Sequence, residues 1–186
     1  PSIGTYMFSG SVIESVVFSF APSRIERFAF SNTQSLSALS LPESVTIIED
    51  GAFQSSMLAS VNIPPACKEI GASAFAGAKL TSVDLSKVER LGRDVFSKTP
   101  LQGTINLSKL SIIPSGAFQK STISEIVFAS NLKTIESSAF LDCDNLKSIS
   151  LPDGIEDVGS KAFYDCNKLT DINLPNSLIS IGANAF

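Results

Sequence analysis

Apolar side chains recur along this chain in one fixed phase. Nine Phe mark it: Phe8, Phe30, Phe53, Phe75, Phe96, Phe118, Phe140, Phe163 and Phe186, at intervals of 21 to 23 residues. Seven of them follow Ala (Ala29, Ala52, Ala74, Ala117, Ala139, Ala162 and Ala185), and the other two follow Met7 and Val95. Five residues before each Phe stands an aliphatic group: Ile3, Ile25, Ile48, Ile70, Leu91, Ile113, Ile135, Val158 and Ile181. Gly follows it at Gly4, Gly71, Gly92, Gly159 and Gly182. Eight residues before the Phe, a further column holds Val45, Cys67, Val88, Leu110, Leu132, Ile155 and Leu178, and Pro22 interrupts it. Five or six residues after the Phe comes Leu or Ile, at Leu36, Leu58, Leu80, Leu101, Ile123, Leu146 and Leu169.

Alternating pairs close each unit: Val16/Phe18, Leu39/Leu41, Val61/Ile63, Val83/Leu85, Ile105/Leu107, Ile126/Phe128, Ile149/Leu151 and Ile172/Leu174. An apolar-x-apolar pair has the period of a strand with one buried face. Pro42, Pro64, Pro152 and Pro175 end several of these runs, and a Pro has no N–H to give to a ladder. One strand per ~22-residue coil, always in the same phase, predicts a parallel sheet with one strand per coil. The Phe column then becomes a spine of stacked rings opposite the sheet. The Gly is expected to permit a turn that a Cβ would hinder. The Ala-Phe stretch has room for a short helical or 3-10 turn and for no long helix.

The fold class predicted is therefore a β-rich repeat solenoid. Residues 1–186 read as one continuous solenoid without an internal domain boundary. Eight strands at the usual spacing make a sheet roughly 35 to 40 Å long. Neither end carries a polar cap, so both are expected to expose strand edges and apolar side chains, inviting end-to-end self-association. The chain lacks an initiator Met and stops in mid-motif at Ala185-Phe186, so it is expected to be part of a longer protein.

The consensus L-x-x-I-x-L-P-x-x-I-x-x-I-G-x-x-A-F-x-x-C-x-x-L is best kept from Leu146 to Cys166 and from Leu169 to Phe186. It resembles the BspA-like leucine-rich repeat, also called the Treponema pallidum type, over essentially the whole chain. The resemblance implies a curved solenoid, a leucine-rich-repeat horseshoe. It further implies a cell-surface or secreted location and adhesion to host proteins or other microbes. The chain departs from the pattern where Ser86 and Ser108 replace Pro, and where the Cys column is filled only at Cys143 and Cys166. The coils ending at Phe96 and Phe118 are one residue shorter before the Phe, and the first coil is the most degenerate.

Composition narrows the function classes. The chain has no His and no Trp, and its net charge of -4 comes from 14 basic against 18 acidic residues. Without His there is no Ser-His-Asp or Cys-His catalysis and no imidazole-ligated zinc or haem. Mild acidity with no Lys/Arg cluster argues against nucleic acid and anionic membranes. No apolar run approaches the ~18 to 20 residues of a membrane span. The 31 Ser are spread through the periodic apolar pattern and act as surface filler, not as a low-complexity segment.

Candidate chemistry is sparse. Cys143 and Cys166 occupy equivalent positions on adjacent coils, within disulfide reach by strand spacing, or else pack as small buried thiols. Cys67 falls in an aliphatic column and reads as core. Asp142, Asp144 and Asp165 are open to reading as a Ca²⁺ cluster or as solvated turn residues. No nucleophile, lid or phosphate loop accompanies them, so no enzyme, cofactor or metal is predicted. Asn106-Leu107-Ser108 matches an N-glycosylation acceptor, which matters only in a eukaryotic secretory route.

The outward strand positions are the candidate binding surface. Between the paired apolar residues lie Ser40, Asn62, Asp84, Asn106, Val127, Ser150 and Asn173, and one step before each pair lie Ala38, Ser60, Ser82, Thr104, Glu125, Ser148 and Asp171. Such short polar side chains suit hydrogen bonding to a protein (host, matrix or microbial) or a glycan, and serve equally as the wet face of a sheet. The function read from this is a non-catalytic binding or adhesion module. The alternatives are a passive stalk, an intracellular scaffold, or a repeat domain joined to an enzyme.

Overall fold

The structure, a computed structural model, describes all residues from Pro1 to Phe186. It is a parallel β-solenoid of about eight turns. Most coils carry two strand segments where the pattern predicted one. The aliphatic column five residues before the Phe builds its own strands. Ser2–Ile3, Arg24–Ile25, Ile47–Ile48, Glu69–Ile70 and Arg90–Leu91 form one five-stranded parallel sheet. Ile112–Ile113, Thr134–Ile135, Asp157–Val158 and Ser180–Ile181 form a four-stranded continuation. Each has one inward residue, so no alternation betrays it in the sequence.

The break between these sheets coincides with a lost donor. The residue after each aliphatic position donates its N–H to the carbonyl of the previous coil, as in Glu49 to Ile25, Gly71 to Ile48, Gly92 to Ile70 and Glu136 to Ile113. Between Leu91 and Ile113 that residue is Pro114, which has no N–H to donate.

The apolar pairs form the second set of strands, also parallel but interrupted. Ala38–Ser40 pairs with Ser60–Asn62, Gln102–Leu107 with Thr122–Phe128, and Ser148–Ser150 with Asp171–Asn173. The predicted continuous eight-strand sheet is therefore three separate pairs. Val16/Phe18 and Val83/Leu85 form no strand. Residues 12–20 donate and accept no backbone bond, which fits the degeneracy of the first coil. The coil containing Val83 and Leu85 is the shortest, with 21 residues from Phe75 to Phe96.

The Ala-Phe stretch is neither helical nor 3-10. Around Phe53, the N–H groups of Gly51, Phe53 and Ser55 donate to Ala72, Ala74 and Ala76 on the next coil at 2.7 to 2.9 Å. The alternate N–H groups, of Ala52 and Gln54, donate back three residues within the coil at 3.2 and 3.0 Å. Two residues before and two after nearly every Phe, the backbone is left-handed, as at Gly51 and Ser55 (φ 63° and 55°) and at Asp94 and Lys98 (φ 56° and 59°). That conformation turns every second N–H along the solenoid axis. For non-Gly residues it costs ~1–2 kcal/mol, which the inter-coil bonds offset.

The Phe spine is continuous. Rings from Phe8 to Phe186 stack with centroids 5.0 to 5.6 Å apart and interplanar angles of 20° or less. Phe30, Phe53, Phe75, Phe96, Phe118, Phe140 and Phe163 are all buried. The spine and the aliphatic columns make one core cluster of 45 buried residues. Apolar side chains emerge in the end coils, with Val17 90% and Ile179 79% exposed. No helix is long and apolar enough to cross a membrane.

Candidate functional site: the outward strand face

The strand pairs put the predicted face residues in register, one coil apart. Ala38 stands opposite Ser60 and Ser40 opposite Asn62. Thr104 stands opposite Glu125 and Asn106 opposite Val127. Ser148 stands opposite Asp171 and Ser150 opposite Asn173. Ser82 and Asp84 occupy the same columns on a coil without ladder bonds, tied to the next by Gln102 N–H to Thr81 at 3.0 Å. Ser40, Asn62, Asp84, Ser150, Asn173, Ser60, Ser82, Glu125 and Asp171 are exposed, while Asn106 is half-buried. The face is low in relief. Its one large apolar group is Val127, 42% exposed. A one-residue bulge at Ser124 shifts the register just before Glu125, and Glu125 accepts a bond from Thr104 Oγ1 at 2.6 Å.

Three of the predicted binding residues are engaged with their own backbone. Asn62 Oδ1 accepts the Leu41 N–H at 2.6 Å and its amide donates to the Leu41 carbonyl at 3.1 Å, extending the ladder by a side chain. Asp84 Oδ1 accepts the Ser86 N–H at 2.9 Å, and Asn106 Oδ1 accepts the Ser108 N–H at 3.0 Å. This explains the departure at Ser86 and Ser108. Four other coils end the pair with a Pro, which needs no acceptor, while these two present an N–H that a side chain two residues earlier satisfies. The Ser86 backbone bond, with its hydroxyl, holds the Asp84 carboxyl below the ordinary carboxylate range. Its stabilising effect is present at neutral pH and is lost as pH falls through the folded-state value. In the glycosylation tripeptide, the Asn106 amide oxygen is thus already bonded to Ser108.

The opposite surface has a different character. Along the two-residue strands, charges pair between neighbouring coils: Arg24 with Glu49 at 2.7 Å, Arg90 with Glu69 at 2.8 Å and Lys133 with Glu156 at 2.6 Å. These pairs are exposed, and each contributes ~0–1 kcal/mol. Sequence reasoning missed them because the second ladder that aligns them was not visible.

The remaining candidates resolve into structural roles. Asp142 and Asp165 are the left-handed residues after Phe140 and Phe163. Asp142 pairs with Lys120 at 3.6 Å, and Asp144 accepts a bond from the Asn167 amide at 2.7 Å. All three Cys are buried free thiols. The Cys143 and Cys166 sulfurs lie 3.3 and 3.2 Å from the Phe118 and Phe140 carbonyls. They continue a buried column of Thr33, Ser56, Thr99 and Ser121 beside the spine. Burial pushes the Cys67 thiol up to about 11, and the neighbouring Cys166 thiol, then burial, push Cys143 up as well. A thiolate-directed reagent at neutral pH should leave Cys67 and Cys143 unlabelled in the folded protein and label all three Cys on unfolding. Failure of Cys143 and Cys166 to react after unfolding without reductant would reveal a disulfide instead.

A parallel coil of this length, with an inner Phe spine and a shallow outer strand face, defines a leucine-rich-repeat solenoid. The BspA type leucine-rich repeat region matches residues 1–120 and 111–186 in six copies, and the chain belongs to that family. Among solved structures, a leucine-rich repeat protein from Bacteroides ovatus superposes with a TM-score of 0.77 at 25% identity, covering 98% of this chain and 55% of that one. The T. pallidum leucine-rich repeat protein gives a TM-score of 0.58 at 27% identity, over 92% of this chain and 72% of that one. A leucine-rich cell surface protein from Faecalibacterium prausnitzii shares the fold at 22% identity and a TM-score of 0.74, over 91% of this chain and 47% of that one. This chain thus spans about half the length of the first and the last of these. No curated protein matches it. The chain is a repeat module of the protein-interaction or structural kind.

Proposed function

We propose that residues 1–186 act as one continuous, non-catalytic protein-binding module of a surface or secreted protein, and that the outward strand face is its site. The observation that carries this is the register of that face. Small exposed side chains from successive coils align across a surface of low relief, free of the ion pairs that occupy the opposite side. A flat, hydrogen-bonding surface without large aromatic anchors suits a partner that engages many coils at once. The surface location is in keeping with the cell-surface description of the F. prausnitzii protein.

The test leaves the backbone-bonding residues alone. Ser60→Gln, Ser82→Gln and Ser148→Gln together add bulk to the face without charge. Against immobilised matrix, microbial surface and glycoprotein panels, wild type should bind a protein member and the triple variant should lose it with unchanged circular dichroism. Retained binding would move the site elsewhere, and no binding by wild type would favour a passive spacer. Protease shaving of source cells, which should remove the segment and spare cytosolic markers, tests its surface location. A second reading, end-to-end self-association, is favoured by the apolar groups exposed in the first and last coils. Sedimentation that stays monomeric over a wide concentration range would exclude it.

A further inference from the structure

We propose that the partner accepted by the outward strand face is a basic protein surface. The inference rests on the binding role just assigned to that face and adds the chemistry of what it takes. Among the outward strand positions, the charged residues are Asp84, Glu125 and Asp171, and none is Lys or Arg. They stand on alternate coils, so the carboxylates recur about every 10 Å along the axis, two strand spacings apart. All three are exposed. On the opposite surface, Arg24, Arg90 and Lys133 are each taken up by a carboxylate one coil away. The face carboxylates have only hydroxyl or backbone donors: Ser86 N–H for Asp84, Thr104 for Glu125 and Thr170 for Asp171.

Each carboxylate is therefore held by a neutral donor and forms no ion pair, although the Lys87 charge reaches Asp84 from beyond the edge. Lys87 and Lys109 lie beyond the downstream edge, grouped with Lys68, Glu89 and Arg90, and Lys147 flanks the upstream edge. A row of oriented, unpaired acceptors at regular spacing on a surface of low relief attracts a partner whose Lys or Arg are spread over a comparable length. Such complementarity raises the rate of encounter and excludes acidic partners. Val127, between Asn106 and Ser150, offers the one apolar contact around which such a partner would seat.

The test uses the 186-residue chain and fluorescein-labelled decalysine, with decaglutamate as the opposite-sign probe. The face variant is Asp84→Asn, Glu125→Gln and Asp171→Asn. Asn at position 84 keeps the bond to Ser86, because Asn106 makes that same bond to Ser108. The control is Glu89→Gln, Glu136→Gln and Asp165→Asn, which removes three negative charges away from the face. Wild type and control should bind decalysine alike in fluorescence anisotropy. The face variant should bind ~10-fold more weakly, as loss of three exposed ion pairs implies. Binding should weaken steeply as the Debye length falls from ~30 Å at 0.01 M salt to ~8 Å at 0.15 M.

Equal losses in the two variants would mean that net charge, not the face, attracts the peptide, and would overturn the proposal. So would equal binding of decaglutamate, or no decalysine binding. If the neutral Gln triple variant abolishes binding to a matrix protein while wild type ignores decalysine, the binding role stands and the basic partner falls.

Discussion

Phe118→Ala or Phe140→Ala is expected to destabilise the chain by ~3–5 kcal/mol, and Phe186→Ala by much less. Phe118 is fully buried and stacked on both sides, 5.6 Å from Phe96 and 5.4 Å from Phe140. Removing its ring leaves a cavity that the column cannot close. The Phe118 N–H and the carbonyl of Ala117 are tied to the flanking coils at 2.8 Å, so neither neighbour can slide in. Phe186 stacks only on Phe163, at 5.5 Å, and is already 41% exposed. Chemical denaturation of the three variants measures the difference. Equal costs at centre and end would mean that the rings do not act as one stacked spine.

Gly92→Ala should cost ~1–3 kcal/mol or more, while Gly4→Ala should stay within ~0.5 kcal/mol. A Cβ on Gly92 would lie 2.2 Å from the Ala72 nitrogen, 2.5 Å from the Gly71 carbonyl carbon and 2.6 Å from the Ala72 Cα. All of these are backbone atoms of the preceding coil, so no side-chain rotation relieves the contact and the coils must separate. At Gly4, in the same column, a Cβ meets nothing within 4 Å. Neither residue has a positive φ, so the contrast isolates close approach from conformational freedom. Indistinguishable denaturation midpoints for the two variants would show that the coils are not packed this tightly at Gly92.

The outer plan of the molecule was legible because burial in a repeat is periodic. The Phe column, the paired aliphatic residues and the common phase could come only from coils that cover each other, and the stacked rings and parallel pairs follow that plan. The strand face was legible for the same reason: alternation sent Ser40, Ser60, Ser82 and Ser150 outward, and they are exposed. The left-handed backbone beside each Phe left a fainter signal. Asn32, Gly51, Gly77, Gly116 and Asn184 are residues that tolerate it, but Tyr6, Phe28, Lys98 and Lys161 share the conformation and hide the pattern.

Sequence alone therefore determined the coil length, the parallel stacking, the spine and the outward columns, since each depends on which side chains leave water. It could not determine how the backbone groups of one coil meet those of the next. Asn62, Asp84 and Asn106 read as free surface groups, yet all three satisfy backbone N–H groups. Glu26, Glu49 and Glu136 share the column of Gly71, Gly92, Gly159 and Gly182, so only the local approach of the preceding coil's backbone decides where a Cβ is excluded. The second ladder, its interruption at Pro114 and the ion pairs it aligns likewise exist only once coils are stacked. Burial is a property of each residue and its period, and it is written along the chain. Hydrogen bonding between coils is a property of two backbones about 22 residues apart, and only their distance in space decides it.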